Sequence, residues 1–170
     1  MSRNVREFAC RPEAVFEVLA DGWLYPSWVV GASRMRDVEL TWPRPESRLH
    51  HSVGVWPAVI DDVTVSLDWS PPRRAVFQAR GWPIGEATVT IDVKRRGGGC
   101  VVRLQEEPTA GPARWVPRFL TEPLLLWRNA ETLRRLAFLA EGREYRGESR
   151  TLGRRASPSS RRHRRSRMNP

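Results

Sequence analysis

Lysine is almost missing from this 170-residue chain: of 29 basic residues only Lys94 is a lysine. A functional demand for positive charge would not empty every lysine position, so the skew reads as the codon bias of a GC-rich genome. Cysteine is scarce too. Cys10 and Cys100 make no disulfide framework and no CxxC pair. The three histidines, His50, His51 and His163, form no cluster with them, so neither a structural zinc site nor any other metal is expected. Phosphate-binding glycine loops, dinucleotide fingerprints, HExxH helices and GxSxG elbows are all absent, which removes support for nucleotide, zinc-hydrolase and serine-hydrolase chemistry and leaves no cofactor expected. Long apolar runs are lacking. The longest, such as Leu124 to Trp127, fall far below the roughly 18 residues of a membrane span. The first residues, Met-Ser-Arg-Asn-Val-Arg-Glu, contain no apolar stretch and do not read as a signal peptide. A cytoplasmic protein with reduced thiols is the expectation.

What the chain has is net charge, +10, unevenly spread. Residues 142–170 carry ten arginines against Glu144 and Glu148, a net of +8, so residues 1–141 hold only +2. The division predicts a nearly neutral domain over 1–141 followed by a disordered, Arg-rich tail over 142–170. Arg154, Arg155, Arg161, Arg162, Arg164, Arg165 and Arg167 could neutralise phosphates of a nucleic acid or an anionic membrane. With no aromatic residue among them to stack on bases, such binding would be weak and indifferent to sequence. A solvated extension with no partner is the plainer reading.

The pattern of residues 3–10 suggests a first strand. Pro12 and Glu13 then open a helix with Val15, Phe16 and Leu19 on one stripe, ended by Gly22. Arg11 is a poor cap, so this helix start should be only moderately stable. A short turn or helix over 23–28 precedes a strand at about 30–39. Segments 48–55, 58–69, 74–81, 85–95 and 100–107 then read as strands rich in Val, Ile and Thr. The clearest is 86–93, where Ala87, Val89, Ile91 and Val93 alternate with polar residues. Beyond Gly111 and Pro112 the period changes to three or four: Leu126, Ala130, Leu133, Ala137 and Ala140 predict an amphipathic helix over 124–141, stopped at Gly142. The expected class is α+β: a curved antiparallel sheet of about seven strands gripping one long C-terminal helix, with two short helices closing one end.

This order, together with Pro12–Asp21, Trp28-Val29-Val30-Gly31, Ser47–Gly54, Pro71–Arg74 and Gly85–Val89, resembles the START-like superfamily of polyketide cyclases, dehydrases and lipid-transfer proteins, also called SRPBCC. The resemblance covers roughly residues 3–141 and is similar in its local stretches to an uncharacterised bacterial subgroup. It implies a helix-grip fold with a cavity between sheet and helix that takes a small hydrophobic ligand. It also implies that the first and last strands are neighbours, which would bring Cys10 near Cys100.

Strand parity nominates side chains for that cavity. Leu49, His51, Val53 and Val55 share one face, and Val59, Asp61, Val63, Val65, Leu67 and Trp69 share another, with His50 and Asp62 outside. If residue 56 centres the turn, His51 lies opposite Asp61; a two-residue turn would pair it with Asp62 and match fewer apolar residues. A carboxylate beside an imidazole raises its pKa and orients it, the usual preparation of a general base. A satisfied polar pair at a strand end is the plainer role. Glu106 shares parity with Cys100, Val102 and Leu104 and is a candidate for the cavity mouth, although a strand-end acid emerging into solvent is commoner. Among eight tryptophans, Trp28 and Trp127 are the candidates to touch a flat ligand. The expected role is binding of a lipid-, aromatic- or polyketide-like ligand through Trp28, His51, Asp61, Glu106 and Trp127. The alternatives are a cyclase or dehydratase using His51 and Asp61, and a tail-mediated binder of nucleic acid or membrane.

Overall fold

A computed structural model describes residues 2–81, 85–111 and 118–156. The order is β1 (Ser2–Phe8), α1 (Pro12–Ala20), a 3-10 turn (Gly22–Leu24), α2 (Tyr25–Trp28), β2 (Ala32–Val38) and β3 (Arg48–Val55). There follow β4 (Ala58–Ser70), β5 (Arg74–Gly81), β6 (Gly85–Arg96), β7 (Gly99–Ala110) and α3 (Arg118–Ala156). The seven strands form one antiparallel sheet in the order β1-β7-β6-β5-β4-β3-β2. Every step between neighbours is a hairpin except β1–β7, which closes the first strand onto the last. This is the expected helix-grip architecture.

The alternation in β6 does what its pattern requires: Ile91 and Val93 are buried in the core. Pro12 stands in the first turn of α1, where its missing N–H costs nothing, and Ala14, Val15, Val18 and Leu19 form the buried face. Leu133, Leu136, Ala137 and Ala140 of α3 close over them with Phe8, Val102 and Leu104. Each fully buried Leu, Ile or Val contributes about 1.5–3 kcal/mol. This apolar half is the core that holds the fold.

Two expectations about α3 are corrected. The helix does not stop at Gly142 but continues to Ala156. Glycine inside a helix costs about 1 kcal/mol, and contacts on both sides of Gly142 offset that. Glu141 Oε1 accepts the Ala9 N–H at 2.8 Å, Glu144 accepts the Arg11 N–H at 2.6 Å and its guanidinium at 2.8 Å, and Arg143 donates to Asp21 at 2.7 Å. These carboxylates support the start of α1, where Arg11 itself supplies no cap. The buried stripe is also rotated: Asn129, Thr132 and Leu133 are buried, whereas Leu126 and Ala130 are exposed. The tail expected to be disordered is helical in backbone as far as Ala156, so Arg154 and Arg155 fall in the last turns of α3. Arg161, Arg162, Arg164, Arg165 and Arg167 lie outside the described residues, as do Trp82 and Trp115.

The β3–β4 register is the third correction. Trp56 and Pro57 make a two-residue turn, with Val55 opposite Ala58, so His51 faces Asp62 and Ser52 faces Asp61. Gly54 sits at φ 109°, and a Cβ there would lie 2.2 Å from the Ala58 carbonyl oxygen. The strands cross too closely at this point for any residue but glycine. Turn geometry thus outweighs hydrophobic matching. The inward residues of β4 are Asp62, Thr64 and Ser66, while Val59 and Leu67 are exposed. A bulge between Ser66 and Asp68 then turns Trp69 back to the core, where it meets Phe16 edge-on at 5.1 Å.

Candidate functional site

A cavity of about 240 Å³ lies between the sheet and the first described turns of α3. It exists because the inward positions at this end of the sheet are small: Ala32 on β2, Ala79 on β5 and Ala87 on β6 contribute little bulk. Trp28 and Val29 form one wall, Phe77, Val89 and Leu104 the floor, and Leu125, Arg128, Asn129 and Thr132 of α3 the roof. Most of the lining is apolar, and the polar groups are gathered in two places.

The first is a chain of hydrogen bonds on the inner face of β3 and β4. Thr64 Oγ1 lies 2.9 Å from Tyr25 Oη and 2.9 Å from His51 Nε2, all three residues being buried. The Tyr25 and His51 rings pack at 4.8 Å. Asp62 accepts the Val63 N–H on Oδ1 at 2.7 Å, while its Oδ2 and His51 Nδ1 have no protein partner. Burial, helped by the Arg36 guanidinium, lowers the His51 pKa to about 4. Burial likewise raises Asp62, and pushes Tyr25 up to about 12. An imidazole titrating near 4 is uncharged at neutral pH and a weak proton acceptor.

The second is at the mouth. Glu106, 7% exposed, forms an ion pair with Arg128 and accepts from Asn129 Nδ2 at 3.0 Å; the same amide group donates to Ser2 Oγ at 3.0 Å. Nearby Arg80 is held by Glu86 at 3.0 Å. Both arginines at the cavity are therefore paired with carboxylates.

Of the residues nominated from sequence, Trp28, His51 and Glu106 come together around this cavity. Glu106 points inward rather than into solvent. Asp61 does not join them: with its side chain 60% exposed on the outer face, it pairs with Arg36 at 2.7 Å and accepts from Ser52 Oγ at 3.0 Å. The two-residue turn puts Asp62 in the place assigned to it. Trp127 is 65% exposed on α3, because the rotated stripe presents Leu125, Arg128 and Asn129 to the cavity instead. Sequence reasoning missed Tyr25, Thr64, Arg128 and Asn129, and it weighed Asp62 but preferred Asp61. For the two on α3 the available signal was the spacing of Leu125, Asn129, Thr132, Leu133 and Leu136, a helical stripe interrupted by two polar residues.

Cys10 and Cys100 are neighbours, as the resemblance implied, and both are buried free thiols. A hydrogen bond to Cys100 and burial hold the Cys10 thiol well above its usual range. No group of three potential metal ligands occurs among the described residues, and no helix among them is long and apolar enough to cross a membrane.

A seven-stranded sheet gripping a long helix over an apolar cavity defines a helix-grip fold. The chain belongs to the polyketide cyclase / dehydrase and lipid transport family, whose model matches residues 2–141. No curated protein matches it by sequence. A solved structure from Rhodobacter sphaeroides superposes with a TM-score of 0.65 at 19% identity, covering 84% of this chain and 92% of that one. A protein from Chromobacterium violaceum gives 0.61 at 18%, covering 82% and 96%. The di-domain ARO/CYC StfQ from the steffimycin biosynthetic pathway gives 0.65 at 14%; 83% of this chain matches half of that one. At these identities the likeness is one of fold.

Proposed function

We propose that the protein binds a small hydrophobic molecule in the cavity between the sheet and α3, as a carrier or binding protein. The observation that carries this reading is the cavity itself: about 240 Å³, lined mainly by apolar side chains and roofed by the same helix that closes the core. Protein interiors are otherwise close-packed, so a void of this size flanked by a few placed polar groups is the usual form of a ligand site. Membership of a family of cyclases, dehydrases and lipid transporters supports the same class of ligand. Binding is favoured over acid–base turnover because burial makes His51 a weak base and no hydrogen bond joins it to Asp62, which stands where Asp61 was expected.

Native mass spectrometry of the full chain, freshly purified from its expression host, tests this reading. The expected result is a population carrying an additional small-molecule mass that organic solvent extracts. An apo mass in every preparation, with no uptake of added naphthalene-type probes, would contradict it.

A further inference from the structure

Two of the four buried polar side-chain atoms without a partner among the described residues, His51 Nδ1 and Asp62 Oδ2, lie on residues that face each other across β3 and β4, and both side chains line the cavity. Directly opposed residues in an antiparallel pair have Cβ atoms about 4.5–5.5 Å apart, a spacing that one small group can bridge. His51 is 2% exposed and Asp62 is 7% exposed, so bulk solvent does not serve them. A buried polar atom left unpaired costs about 1–3 kcal/mol.

One proton arrangement uses every hydroxyl hydrogen within the chain, and it assigns the donor atom of His51. Tyr25 and Thr64 have one hydroxyl hydrogen each. Both are used only if Tyr25 donates to Thr64 Oγ1 and Thr64 donates to His51 Nε2. The ring proton then sits on Nδ1, on a side chain that lines the cavity. Asp62 Oδ1 is already occupied by the Val63 N–H, which leaves Oδ2 as an acceptor. Side by side, two side chains that line the cavity hold one free donor and one free acceptor.

From this pairing we infer that the site selects an uncharged ligand bearing a hydroxyl group, which accepts from His51 Nδ1–H and donates to Asp62 Oδ2 while its apolar body rests against Trp28, Phe77 and Leu104. The inference rests on the cavity-binding reading above and adds the chemical class. An anionic head group, such as a carboxylate, is disfavoured. The lining carries three carboxyl groups, Asp62, Glu86 and Glu106, against two arginines, and each arginine is already paired with a glutamate. A ligand that only accepts leaves Asp62 without its partner, the situation in which polar sites discriminate most strongly.

Calorimetric titration of the full chain with three probes of one shape tests this: 2-naphthol, 2-methoxynaphthalene and 2-naphthoate at neutral pH. The expected order is 2-naphthol about tenfold tighter than 2-methoxynaphthalene, with 2-naphthoate weakest. In Asp62→Asn the amide oxygen keeps the Val63 N–H and the amide nitrogen turns to the cavity, so 2-naphthol and 2-methoxynaphthalene should bind within about twofold of each other. A purely structural role for Asp62 would not move that ratio. Equal binding of these two probes by the wild type, an unchanged ratio in Asp62→Asn, or 2-naphthoate binding tightest would each overturn the inference while leaving the cavity reading intact. Binding of none of the three would remove both. If Asp62→Asn does not fold by circular dichroism, the wild-type series alone decides.

Discussion

Burial holds His51 uncharged down to about pH 4, whereas the same side chain in an unfolded chain takes up a proton near its ordinary value of 6.5. Between those limits the unfolded state binds a proton that the folded state does not. Stability owed to the neutral imidazole is therefore complete above the upper limit and lost as pH falls through the window, by at most about 1.4 kcal/mol per pH unit. Asp62 acts in the opposite sense, because its raised pKa makes the folded state the better proton binder on acidification. The informative quantity is thus the difference between wild type and His51→Gln. Urea denaturation at pH 7 and pH 4.5 should show the wild type losing more stability than the variant; parallel losses would mean that His51 titrates normally. At this scale the sequence was partly legible. Alternation alone nominated His51 and Glu106 for the inner face, but it chose Asp61 over Asp62, its neighbour of identical chemistry and opposite parity, and the register reverses that choice.

That choice belongs to the element, because a one-residue change in turn length moves every side chain of β4 to the other face. Hydrophobic matching pointed to the wrong register because the inward face of β4 is polar: Thr64 and Ser66 are fully buried yet satisfied, Ser66 Oγ donating to the Pro43 carbonyl at 2.9 Å. The stripe on α3 was displaced for the same reason, with Asn129 and Thr132 holding positions that a pattern reading reserves for apolar residues. The end of α3 was hidden by Gly142, a residue that often terminates helices, since the partners that carry the helix past it, Ala9, Arg11 and Asp21, are distant in sequence. A chain ending at residue 147 should melt with the full-length protein. One ending at 141 loses Arg143 and Glu144, including a charge-assisted bond to the Arg11 backbone. Its cost should be about 2 kcal/mol, or a melting temperature lower by about 4–8 °C. Identical melting of the two truncations would show that the domain ends at Gly142 after all.

For the molecule as a whole, the order of elements along the chain and the closing helix were legible from period changes, which need no exact register, and the helix-grip class followed from the family resemblance. The cavity was not, since it depends on which small residues meet: Ala32, Ala79 and Ala87 come from three strands and face one another only once the sheet is formed. The fold divides into an apolar half that supplies stability and a half left open around paired and unpaired polar groups. Filling that open half tests the division most directly. Ala87 lines the cavity on β6, opposite Ala79 and Pro108, so Ala87→Trp places an indole in the void rather than in the packed core. Calorimetric titration of wild type and Ala87→Trp with 2-naphthol, alongside their melting curves, is the decisive comparison. A variant that melts within a few degrees of the wild type yet binds at least about tenfold more weakly is the expected result. Equal affinity in a folded Ala87→Trp would show that the cavity between sheet and helix is not where the ligand binds.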